Sequence, residues 1–150
     1  MGRSNAILKN KFKVVCFTET PIDQIDVLLN KVSGRNFKPD PYGLVFKKEY
    51  IRQKDGNPVF YVTKKIARQL WGSLYKPHVE GEKQAPEKIC KLLALVTVCE
   101  EGNDFHWERE WRIVGDLRFE LTDIYCGLCP KEEISYFENK YGVMFIDPHW

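Results

Sequence analysis

Residues 106–112 read HWEREWR, which sets His106, Trp107, Glu108, Arg109, Glu110, Trp111 and Arg112 side by side. Two carboxylates one residue apart suit a division of labour on one ligand. One binds a hydroxyl while the other stabilises developing positive charge or accepts a proton, which makes Glu108 and Glu110 the candidate catalytic pair. On a strand over 108–114 side chains alternate, so Glu108, Glu110, Arg112 and Val114 share one face and Arg109, Trp111 and Ile113 share the other. The face with Trp111 and Ile113 is the natural core side. The glutamates then lie about 7 Å apart on the opposite side, with Arg112 continuing the row as a ligand contact. Alternating Glu and Arg also describes a solvated sheet face or a salt-bridge ladder. His106 and Trp107 weigh toward a ligand cleft, because titratable groups beside aromatic rings are typical of one.

Thr18, Glu19 and Thr20 close an apolar segment where a hydroxyl, a carboxylate and a helix start coincide. Helix N-termini favour anions, so the place suits a nucleotide. Capping accounts for Thr20, with Asp23 completing a box-like arrangement, but for neither Thr18 nor Glu19. Cys126 and Cys129 form a CxxC. Zinc needs two further ligands, whereas Cys90 and Cys99 lie in an apolar segment and His149 is remote. Redox use wants the pair at the start of a helix in a thioredoxin-like unit, and the segment after Pro130 meets only part of that. The CxxC therefore reads as coincidence and no metal site is expected. His78 and His149 read as surface residues. There is no Gly-rich phosphate loop, GxSxG elbow or HExxH helix.

The elements that must position these groups follow from periodicity. FKVVCFTE (12–19) reads as a buried strand. A helix follows, with Thr20 as N-cap, Pro21 at its first position, an apolar stripe through Ile22, Ile25, Leu28, Leu29 and Val32, and Gly34 as its stop. LVFKKE and PVFYVT read as strands flanking Lys48 to Asp55 in a hairpin-like arrangement, with KDGNP as a turn. A helix is expected over 64–75. EKICKLLALVTVCEE suits a helix in its first half, while LALVTV suits a buried strand equally well. EREWRIVG and DLRFELT read as an antiparallel hairpin about Gly115 and Asp116. A strand DIYCGL, a helix opened by Pro130 and a strand VMFID complete the chain. Strands and helices mix without strict βαβ alternation, so the expected class is α+β: a single domain with a mainly antiparallel mixed sheet flanked by helices.

Composition bounds what such a domain does. At 150 residues the chain fits one domain, and 43% apolar with 29% charged residues describes an ordinary globular protein. The net charge is +2 with the basic residues scattered, so nothing supports nucleic-acid binding. No apolar run approaches the roughly 18 residues of a membrane span, and the first residues lack a secretory h-region. Five cysteines, an odd number, fit free thiols in a reducing compartment. A cytoplasmic protein is expected.

VVCFTETP, YGLVFKKEYI, GNPVFYV and WEREWRI follow one another along residues 13–119. In that order they resemble the AbiGi-like proteins of bacterial abortive phage infection, together with a related family that carries an E-x-E-W-R strand. The resemblance implies an antitoxin-like or regulatory protein, whose partner is a nucleotidyltransferase-like toxin or another defence protein. More distantly, a strand ending in a hydroxyl, a hairpin and a late E-x-E strand are similar to ADP-ribosyltransferases, including DarT-like toxins. That similarity implies NAD as cofactor, Glu110 on the nicotinamide ribose and Glu108 positioning the acceptor. Tyr42, Phe46 and Trp107 are then the stacking candidates for nicotinamide. Longer relatives open with a strand whose His or Arg grips NAD. Here Arg3 is the early basic residue of matching chemistry, so the expectation is a shortened domain without cofactor binding or a chain that begins late. A third reading makes EREWR a salt-bridged strand in an interaction module.

Overall fold

The computed structural model describes residues 13–30, 40–79, 86–99 and 108–149. Its strands are β1 (Val14–Thr18), β2 (Gly43–Phe46), β3 (Asn57–Pro58), β4 (Phe60–Thr63), β5 (Val96–Cys99), β6 (Glu110–Val114), β7 (Ile124–Leu128) and β8 (Phe145–Ile146). The class is α+β, with antiparallel and mixed sheets flanked by helices. The strands are divided among three small sheets, β1-β6-β3, β2-β7-β8 and β4-β5. Two compact units emerge, each made of two stretches of chain: Met1–Thr18 with Asp55–Leu117, and Glu19–Lys54 with Arg118–Trp150.

In the first unit β6 is the central strand, antiparallel to both β1 and β3. Trp111 and Ile113 are buried and sit directly opposite Phe17 and Val15, so one face of the β1-β6 pair is apolar throughout. Cys16 faces Arg112 and Thr18 faces Glu110 on the other. PVFYVT is not one strand. Pro58 ends β3 at the sheet edge, where its missing N–H costs nothing, and β4 begins at Phe60 to pair with β5. Buried Val59 joins the two, its N–H donating to the carbonyl of Glu110 at 2.8 Å. β4 and β5 are parallel and so require a long crossover. That crossover contains the helices Lys64–Leu70, Lys76–Val79 and Glu87–Ala94, with a π-helical turn at Trp71–Tyr75. Thr63 caps the first of these by accepting from the Ile66 N–H. Tyr75, Cys90 and Leu93 bury together against Leu70, Trp71, Leu74 and Ile89. The ambiguous segment thus contains both forms, a helix to Ala94 and then β5.

The expected hairpin about Gly115 does not form. β1 and β3 already occupy both edges of β6, so no edge is left for DLRFELT, and residues 116–120 are not a strand. Glu120 and Asp123 instead close a 3-10 turn at Leu121–Asp123 through reciprocal side-chain to backbone bonds.

In the second unit β7 is central, antiparallel to β2 and parallel to β8. LVFKKE is a strand only to Phe46, and the stretch expected to join it to PVFYVT is a helix, Lys48–Gln53, which buries Ile51. The β2-β7 register shifts between Val45 and Phe46, the last paired residue of β2, and KEYIRQ is rich in residues that lose little freedom in a helix. The helix after β1 starts with a 3-10 turn at Ile22–Gln24 and continues as Ile25–Asn30, burying Ile25 and Leu29 one turn apart. Pro21 takes the N-cap position, with φ −54° and ψ 144°, so Thr20 is not the cap. Gly34, the expected stop, lies outside the described residues. Pro130 opens the last helix as expected, through a 3-10 turn at Lys131–Glu133 into Ile134–Tyr141. Gly142 ends it at φ 66°, donating its N–H to the Glu138 carbonyl at 2.8 Å. Gly127 lies against the Phe145 ring so closely that an added Cβ would come within 2.1 Å of it.

Candidate functional site

The expected acidic row is only half a row. β6 begins at Glu110, and Arg109 stands at φ 49°, a left-handed conformation that interrupts the alternation. Glu108 therefore does not continue the Glu110 and Arg112 face by strand geometry, and the 7 Å spacing does not apply. Glu108 is buried at 5% exposure, and its carbonyl accepts from the Thr18 hydroxyl at 2.6 Å. Thr18 thus ties the end of β1 to the turn that precedes β6.

Glu110, Arg112, Thr18 and Cys16 do share a face of the β1-β6 pair, and Arg112 is its centre. Its guanidinium holds Glu110 bidentately, Nε to Oε1 at 2.9 Å and Nη2 to Oε2 at 3.0 Å. It also donates to the Ala94 carbonyl and to Thr97 Oγ1, both at 2.8 Å. The Glu110 and Arg112 side chains are each 17% exposed. The fork geometry of arginine matches a carboxylate, and low exposure strengthens each bond. Burial opposes the charge on Arg112, yet the bonds to Glu110 outweigh it and hold its pKa above the ordinary value. The Glu110 N–H donates to the Tyr61 hydroxyl at 3.1 Å. Burial of that phenol raises its pKa. Cys16 lies at the surface, but desolvation first, and then the hydrogen bond to Glu110, push its thiol up to about 11. Cys16, Tyr61, Ala94 and Thr97 were not legible as members of this cluster. The register of β1 on β6 and the parallel pairing of β4 with β5 bring them in, and no local motif marks either.

In this arrangement both oxygens of Glu110 accept from Arg112, so a ribose hydroxyl would meet a carboxylate whose charge the guanidinium already balances. The Thr18 hydroxyl is spent on Glu108 and the Tyr61 hydroxyl receives the Glu110 N–H.

The remaining candidates belong to the second unit or lie outside the described residues. Glu19 is paired with Lys48. Phe46 stacks on Tyr50 at 5.6 Å and meets Phe119 edge-on at 5.2 Å. The Tyr42 hydroxyl donates to Glu133 at 2.8 Å, which raises the phenol's pKa. His106, Trp107 and Arg3 lie outside the described residues. Tyr42 also borders an open groove of about 460 Å³, with Leu44, Phe119, Phe137, Tyr141 and Phe145 among its walls. Sequence reading missed this groove, although Phe137 and Tyr141, four apart on one helix, are the kind of spacing that builds an aromatic wall.

Cys126 and Cys129 are fully buried free thiols, and burial raises the pKa of both. A desolvated thiol is a poor nucleophile and a poor metal ligand. Among the described residues no group of three or more His, Cys, Asp or Glu is arranged to hold a metal ion. No described helix is long and apolar enough to cross a membrane. Compared with protein-family models, with curated proteins and with solved structures, the chain matches none of them.

Proposed function

We propose that this chain is a cytoplasmic binding protein of the abortive-infection type, an antitoxin-like or regulatory partner of another defence protein, without turnover at Glu108 and Glu110. The observation that carries the non-catalytic part is the bidentate Glu110–Arg112 pair. A carboxylate whose two oxygens both accept from a neighbouring arginine is already charge-balanced, and the pair supports the strand and the β5 contact at Thr97. The order of VVCFTETP, YGLVFKKEYI, GNPVFYV and WEREWRI supports the assignment to phage defence, and with it a nucleotidyltransferase-like toxin as partner.

Two measurements test the reading. Calorimetry with millimolar NAD, followed by assay of free nicotinamide, is expected to show neither binding nor release. Saturable NAD binding with nicotinamide release that disappears in Glu110→Gln would replace this proposal with the ADP-ribosyltransferase reading. Co-expression with a nucleotidyltransferase-like toxin encoded beside it is expected to give a co-purifying complex and to relieve growth arrest. A toxin that neither co-purifies nor loses toxicity overturns the antitoxin role.

A further inference from the structure

We draw no further inference here: the strongest candidate, the open aromatic groove of the second unit bordered by Tyr42, Leu44, Phe119 and Phe145, is an unpartnered apolar face, and nothing in the structure shows what covers it.

Discussion

Arg112 ties β6 to Ala94 and to Thr97 while neutralising Glu110, so its removal strands a carboxylate of low exposure. Breaking a largely buried pair from one side costs about 3 kcal/mol, and Arg112→Ala should lower stability in urea unfolding by that order. Arg112→Lys should recover only part of it, because an ammonium cannot reproduce the fork. A loss below about 1 kcal/mol would make the pair an ordinary surface bridge. Cys16 reports on the same network. With its pKa raised from 9.0 to about 11, alkylation at pH 8 should run about a hundredfold slower than for an unperturbed thiol, its rate climbing until about pH 11. Glu110→Gln removes an influence that raises this pKa and should speed the reaction; an unchanged rate profile would contradict the contact. The linked stability follows the same sign. It is fully present below pH 9, where folded and unfolded thiols are both protonated, and fades between 9 and about 11 as only the unfolded thiol ionises. At this scale Glu110, Trp111, Arg112 and Ile113 were legible because a strand has period two. Glu108 was not, since its place depends on Arg109 adopting a positive φ that arginine rarely takes.

Two glycines separate packing from propensity at the level of elements. In β7, Gly127 is covered by the Phe145 ring, and a methyl there would overlap three ring atoms. Gly127→Ala should cost about 1 to 3 kcal/mol in urea unfolding by displacing that ring. Gly72, in the π-helical turn, has no neighbour within 4 Å of its would-be Cβ. Gly72→Ala should therefore stabilise the chain by up to about 1 kcal/mol, read as a higher melting temperature. A destabilised Gly72→Ala would mean that the turn needs glycine for its backbone. Most strands and helices were readable where punctuation and period agree, as at VVCFT, which is a strand but alternates in exposure instead of being buried, at the helix opened by Pro130, and at the turn through Asp55. The misses share one cause. Nothing between Phe46 and Lys48 announces the change from strand to helix, Val59 gives no sign that its neighbours serve different sheets, and DLRFELT alternates like a strand but finds both edges of β6 taken. Pairing decides these cases, and pairing is a property of distant partners that a local window does not contain.

The whole molecule passes between its two units at Thr18, at Lys54 and at Leu117, so neither is a contiguous segment. Truncation after Leu117 keeps every strand of the first unit and removes β7 and β8, leaving β2 without its ladder. Hydrogen exchange on that fragment should show protected amides in β1 and β6 and none in Gly43–Phe46. Protection persisting in β2 would show that it folds without β7. The interleaving also has a consequence for biosynthesis. β1 leaves the ribosome before β6, and Thr18 is fastened to a residue 90 positions later. At roughly 5 to 20 residues per second that partner arrives about 5 to 20 seconds afterwards. Through that interval VVCFT is an apolar strand with both edges open, the state most prone to pair with a neighbouring nascent chain. The yield of this protein in a cell should therefore rise when the first strand is shielded until the sixth appears, as co-expression of a nascent-chain chaperone would measure.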